Sequence, residues 1–184
     1  HRICPITNNI IRITYTAKEW LESCKPGVIH NAFYDGWKIC EDKEKIVISS
    51  SVIKLVIDRK TASYSYFNIS DGERLLLKEK EHESKSLEEF QAYTVDEESE
   101  ISTEKISTAD GIKEVVRDAI RIPYKILYHT RTYYEWHDDE ALYGLGQQEE
   151  GLLNLRGSTV YVHQANRKIA VPMLVSSKGY GILT

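Results

Sequence analysis

Carboxylates are the most frequent reactive groups in this sequence, and their densest runs are Asp138-Asp139-Glu140, Glu149-Glu150 and Asp96-Glu97-Glu98-Ser99-Glu100. Acid/base work needs two carboxylates converging on one bond, about 5–5.5 Å apart where a glycoside is cleaved with retention. Neighbours in sequence do not converge, because on a strand they point to opposite faces and in a turn they face water. These runs therefore read as solvated turns. His129, His137 and His163 are too widely spaced for a local metal motif and read as strand or loop histidines. Cys4, Cys24 and Cys40 are odd in number and have no CxxC spacing, so buried free thiols are expected rather than a disulfide framework or a zinc knuckle. No GxSxG elbow, P-loop or GxGxxG is present, and Gly144-Leu145-Gly146 lacks both the third glycine and a following helical pattern. No cofactor and no metal site is implied.

The elements that would position these groups read as strands. Ile and Val number 31 against 23 Leu and Ala, with 12 tyrosines besides, a composition that fits pleated, half-buried surfaces. Ile11, Ile13 and Tyr15 alternate with Arg12 and Thr14, the period of a strand with one buried face. Residues 51–58, 64–69 and 75–78, with an Asp71-Gly72 turn, predict an antiparallel meander. The charged stretch from Lys78 to Asp110 is expected to be a mobile insertion without packed strand, and Ser86-Leu87-Glu88-Glu89 is expected to open a short helix through a capping box. Alternation returns at 112–118 and 119–134, where Pro123, lacking an amide hydrogen, should lie at an edge or bend. Three apolar runs follow at 160–163, 169–176 and 179–183. There is no internal repeat, so residues 1–184 predict one all-β domain, an antiparallel two-sheet β-sandwich. With 24 Lys and Arg against 28 Asp and Glu, the net charge of −4 argues against nucleic acid as a partner. No apolar run reaches the roughly 18–20 residues of a membrane span, so no membrane partner is expected, and the compartment, periplasmic or other, is left open.

The last third is the informative part. Gly144, Gly146, Gly151 and Gly157 supply backbone freedom or close approach, and Gly179-Tyr180-Gly181 predicts a neighbour packed directly against bare backbone. The segments Leu142-Tyr-Gly-Leu-Gly-Gln147, Gly151-Leu-Leu-Asn-Leu-Arg-Gly157, Gln164-Ala-Asn166, Val171-Pro172 and Ser176-Ser-Lys-Gly-Tyr-Gly-Ile-Leu183 resemble, in this order, the N-terminal domain of glycoside hydrolase family 31, most of all its bacterial α-xylosidases and α-glucosidases. The resemblance is strong over about 140–184, weak over 9–77 and absent from 78–110. It implies a galactose-mutarotase-like β-sandwich, incomplete at its C-terminal end, that packs on a (β/α)₈ barrel of the same polypeptide. In that family the catalytic aspartates belong to the barrel, and no match to their motifs occurs here. The expectation is an isolated N-terminal fragment with no catalytic residue, which hydrolyses nothing alone.

By position, the resemblance makes the loop between Val162 and Ile169 the one that approaches the pocket for an α-linked xylose- or glucose-containing saccharide. Gln164 and Asn166 are the expected substrate-binding residues, since amide side chains both donate to and accept from sugar hydroxyls. Arg167 either joins them or pairs with a carboxylate of the barrel. A plain structural turn with Asn166 in a left-handed conformation is the competing reading. An independent carbohydrate-binding module is a second functional reading; it needs exposed aromatics, for which Trp20, Trp37 and Trp136 are candidates, although core packing is expected of each. A catalytic epimerase would need a paired histidine and carboxylate, which no local spacing suggests. A sandwich lacking its closing strands exposes a sheet edge, so the fragment is expected to self-associate.

Overall fold

The computed structural model describes residues 1–17, 34–82, 84–96, 102–117 and 120–184; Trp20, Cys24 and residues 97–100 lie outside the described residues. The described residues contain strands and turns and no helix. In chain order the strands are β1 (Arg2–Thr7), β2 (Ile10–Thr14), β3 (Lys38–Glu41), β4 (Lys45–Ser49), β5 (Ile53–Asp58), β6 (Tyr64–Asn68), β7 (Arg74–Glu79), β8 (Lys85–Val95), β9 (Ser102–Thr108), β10 (Gly111–Arg117), β11 (Arg121–Thr132), β12 (Tyr134–Glu135), β13 (Leu142–Gln147), β14 (Ile169–Ser176) and β15 (Tyr180–Leu183). All pairings between them are antiparallel. The chain divides into two compact units, His1–Ser84 with Tyr133–Thr184, and Lys85–Thr132.

In the first unit the expected meander forms a six-stranded sheet ordered β12-β7-β6-β5-β4-β3. Period-two alternation puts Ile48 and Ile46 of β4, Leu55 and Ile57 of β5, and Tyr64 and Tyr66 of β6 on one face, in cross-strand register. Ile48, Leu55 and Tyr64 are buried at the centre, and Ile3, Ile11 and Ile13 of the β1-β2 hairpin pack over them together with Trp37. Two layers of antiparallel strand thus enclose one core, an all-β sandwich. Trp37 belongs to this core, with its indole Nε1–H donating to Thr7 O at 3.1 Å. Inside the sheet Glu79, at the end of β7, is fully buried and accepts a hydrogen bond from the Tyr64 amide at 3.0 Å. Burial, with that carboxylate nearby, pushes the Tyr64 and Tyr134 phenols up to about 12. The remaining sheet of this unit is ordered β13-β14-β15, and Arg74 Nη1 ties β7 to its last turn by donating to Lys178 O at 3.1 Å.

The second unit corrects the reading of the charged stretch. Ser86 and Glu89 open no helix; they lie in β8, which pairs residue by residue with β11, while β9 pairs with β10. No apolar 3.6-residue period follows the capping motif to hold a helix, whereas Arg121–Thr132 offers a complementary strand. Across that ladder Arg131 Nη1 meets Glu88 Oε2 at 2.5 Å, the Tyr128 hydroxyl donates to Glu89 Oε1 at 2.9 Å, and Phe90 stacks on His129 with ring centroids 4.2 Å apart. Pro123 behaves as its missing amide dictates, sitting on an edge strand where the register shifts between Pro123 and Lys125.

Two further expectations are corrected in the first unit. Residues 160–163 form no strand. Cys4 and Cys40 are free, as expected, but Cys4 is only half-buried and Cys40 is exposed, because β3 forms the edge of its sheet and all four of its residues face solvent.

Candidate functional site

The sheet β13-β14-β15 and the irregular chain between β13 and β14 hold the residues singled out from sequence. Gly144 and Gly146 let β13 kink against β14: at Gly146, with φ of +92°, a Cβ would lie 1.9 Å from Ile169 O. At Gly144 the same atom would lie 2.4 Å from Met173 O, and the register shifts between the two glycines. Both are positions where side chains other than hydrogen are excluded by backbone, so the bulge is written into the sequence. Gly181 is also crowded, its missing Cβ being 2.3 Å from Met173 Cε, whereas Gly179 meets nothing and serves a turn with φ of +85°. The neighbour expected against bare backbone is therefore found at Gly181 alone.

Residues 163–168 form the tight turn that delivers the chain into β14. Ala165 and Lys168 bridge across it, with Lys168 N–H donating to Ala165 O at 3.1 Å. Of the two central residues it is Arg167, with φ of 64°, that takes the left-handed conformation, not Asn166. Positive φ at the third turn position alone is the φ pattern of a type II turn. Gln164, Asn166 and Arg167 are all exposed. They do not play equal parts. The Gln164 amide spans the turn, Nε2 donating to Lys168 O at 2.9 Å while Oε1 accepts from Ala170 N–H at 3.2 Å, so it does the work of a missing ladder rung. Half of its donor and acceptor capacity is committed there. Arg167 reaches toward Glu149 at 3.9 Å, and Lys168 closes an ion pair of 2.5 Å on Glu150. Beside the turn a small cleft of about 90 Å³ is lined by Tyr161, His163, Gln148 and Lys168, with Tyr161 77% exposed.

Sequence reading missed the strongest polar cluster. Glu140, expected in a solvated turn, is 2% exposed. Its carboxylate accepts from the Ser176 and Tyr180 hydroxyls through Oε1 and from the His137 amide through Oε2 at 3.0 Å. Arg156 Nη1 donates to the carbonyls of His137 and, at 3.0 Å, Glu140, fastening the same loop from outside. Burial is the largest influence and raises the Glu140 carboxyl, but the three donors together outweigh it and hold it below the usual carboxylate range. The Tyr180 phenol is raised, first by burial and then by its bond to Glu140. A general acid needs the opposite tuning. Glu140 is thus held as an anion at neutral pH and joins the 137–142 turn to β14 and β15. A cavity of about 320 Å³ beside it is lined by Trp136, Leu142, Leu155, Val160 and Leu174, with Arg156 at its edge. Among the described residues no three His, Cys, Asp or Glu side chains converge on a common point.

No family profile matches the chain. Over 56 residues it is 38% identical to an uncharacterized family 31 glucosidase of Pseudescherichia vulneris, a match covering 30% of this chain and 11% of that protein. In fold it is similar to the GH31 α-xylosidase of Xanthomonas citri, with a TM-score of 0.56, 22% identity, and coverage of 82% of this chain and 13% of that one. It is equally similar to a GH31 α-xylosidase from a soil metagenome, solved in complex with xylose, with a TM-score of 0.55, 23% identity, and coverage of 97% of this chain and 24% of that one. The chain therefore spans only a small part of the proteins it matches. The resemblance to family 31 read from residues 140–184 is met both by a sequence relative and by fold.

Proposed function

We infer that this chain is the non-catalytic N-terminal accessory domain of a retaining α-glycosidase of the α-xylosidase or α-glucosidase type. It packs on the catalytic barrel of the same polypeptide, and its 163–168 turn stands near the pocket for an α-linked xylose- or glucose-containing saccharide. The observation that carries the reading is the bulged β13-β14 ladder, whose glycines Gly144 and Gly146 lie in the segment that resembles family 31 and whose backbone contacts exclude any other residue. Electrostatics supports the absence of catalysis by the chain alone. Glu140 is buried and held as an anion by three donors, and Glu150 is held by a lysine. Neither is free to exchange a proton with a substrate.

Within the turn, geometry divides the labour. Gln164 holds the backbone, and Asn166 and Arg167 project from the tip as the groups available to a sugar hydroxyl. In the full polypeptide, Asn166→Ala and Arg167→Ala should raise KM for a p-nitrophenyl α-xyloside or α-glucoside several-fold at unchanged kcat, the sign of lost uniform binding. Unchanged kinetics in both variants would remove the turn from the pocket. Titration of the isolated chain with xylose- and glucose-containing oligosaccharides separates the competing reading: heat of binding by the chain alone, lost in Tyr161→Ala, would favour an independent carbohydrate-binding module.

A further inference from the structure

Strand edges are where folded β-proteins invite or refuse a partner, and charge, proline, bulges and shortness are the usual refusals. Most edges among the described residues carry one. In the six-stranded sheet β3 has Lys38 and Glu41, and β12 is two residues long with Glu135. In the hairpin β1 has Arg2, Pro5 and a register shift, and β2 has Arg12. The four strands of the second unit are charged throughout, and β13 is kinked by its bulge. β15, Tyr180-Gly-Ile-Leu183, has no charge, no proline and no bulge, and among the described residues it pairs on one side only.

Its hydrogen-bonding groups can be placed. Thr184 N–H donates to Pro172 O at 3.0 Å, toward β14. Antiparallel alternation then turns the amides and carbonyls of Gly181 and Leu183 away from β14, to the open side. On the sheet face around them Leu183 is 54% and Val175 42% exposed, with Gly181 paired to Val175 and Leu183 to Met173. The edge is self-complementary. Laid antiparallel about a two-fold axis through Ile182, two copies bring Gly181 of one opposite Leu183 of the other, closing roughly four backbone bonds, and set Ile182 against its own counterpart in a non-hydrogen-bonded pair. Leu183 then meets the Met173 methyl group that lies over Gly181 of the partner strand, on the same sheet face as Val175. A two-fold contact of this kind is isologous and closes at two copies.

We propose that β15 is an acceptor edge, and that in the 184-residue chain its occupant is β15 of a second copy, giving a six-stranded sheet across the dimer. The proposal stands independently of the glycosidase reading, since it uses only the edge itself. Sedimentation equilibrium of the purified chain should show a weight-average mass rising with concentration from 21.2 kDa toward twice that value and no further. Leu183→Lys places a charge on an exposed position of the edge, and Leu183→Pro deletes an outward amide without costing a bond to β14. Each should weaken association by about tenfold or more while circular dichroism stays that of the parent. The register has its own test: Ile182→Lys and Ile182→Glu should each be monomeric alone and associate when mixed, because the two side chains meet at the axis. A concentration-independent monomer, open-ended oligomers, a dimer that survives Leu183→Pro, or no association in the mixture would each overturn the proposal.

Discussion

The six-stranded sheet and the three-stranded sheet of the first unit solve the same folding problem in different ways. The larger one is regular: its inner face repeats Ile, Leu and Tyr in register, and Leu55 and Tyr64 are buried to the last few square ångströms. Hydrophobic alternation suffices to specify it, and many sequences would do the same. The smaller one is irregular, held by two glycines that nothing can replace, by a buried carboxylate with three donors, and by an amide that stands in for a ladder rung. Its outer apolar residues, Val171, Val175 and Leu183, stay exposed. Particular residues rather than a pattern specify this sheet.

Mutations can break the contrast. The largest effect is expected for Gly146→Ala, which combines a left-handed φ with a clash against the Ile169 carbonyl. It should cost about 4 kcal/mol in urea unfolding and abolish hydrogen-exchange protection in β13 and β14 first. Leu55→Ala follows, at roughly 3 kcal/mol, and should lower protection across β4, β5 and β6 instead. Equal loss everywhere in both variants would mean that the two sheets unfold as one and that the contrast has no energetic meaning.

Glu140→Gln should cost about 2 kcal/mol, since a charge-assisted acceptor is replaced by an amide facing the same donors. The pH dependence has a definite sign. With its folded pKa lowered, Glu140 contributes stability that is present above the usual glutamate range and is lost as pH falls through the lowered value. The Gln variant should therefore show a flatter acid limb than the parent, and identical acid limbs would deny Glu140 its latch. At the alkaline end both sheets are sensitive, because the Tyr180 phenol of the smaller one is raised as well. Tyr64 and Tyr134 are raised to about 12, so the stability tied to their neutral form is intact below pH of about 10 and fades as pH climbs through 12. Absorbance of tyrosinate near the upper end of that window, rising together with loss of strand signal, would show it. The smallest effect is reserved for the exposed pairs. Arg167→Ala breaks a 3.9 Å contact with Glu149 between solvent-facing side chains and should change stability by less than about 0.5 kcal/mol.

How much of this was legible follows the same divide. The meander was readable because each of its strands carries its own alternation, and Asp71-Gly72 marks the turn, with φ of +118° at Gly72. Pro123 announced its bend for a reason local to one residue. The strand Lys85–Val95 was not readable, because its stabilising partners, Arg131 for Glu88 and Tyr128 for Glu89, lie about forty residues on and only a local capping pattern was visible. The latch was hidden for the same reason: Ser176 and Tyr180 are 36 and 40 residues from Glu140, and a run of three acidic residues looks like a solvated turn until they are found. At the candidate site the turn itself was placed correctly. Which residue takes the left-handed conformation, and which amide serves the backbone, depended on the bridge between Ala165 and Lys168, which side-chain type alone does not encode.

The central claim is that this β-domain is scaffold whose chemistry resides in another part of a larger enzyme, and its most direct test is a turnover assay on the purified chain. Incubated with p-nitrophenyl α-xyloside and α-glucoside, the chain is predicted to release no nitrophenolate above the buffer rate, at any pH between the acid and alkaline limits of its fold. Release that scales with chain concentration and disappears in Glu140→Gln would contradict the account, because the residue assigned here as a locked structural anion would then be moving a proton.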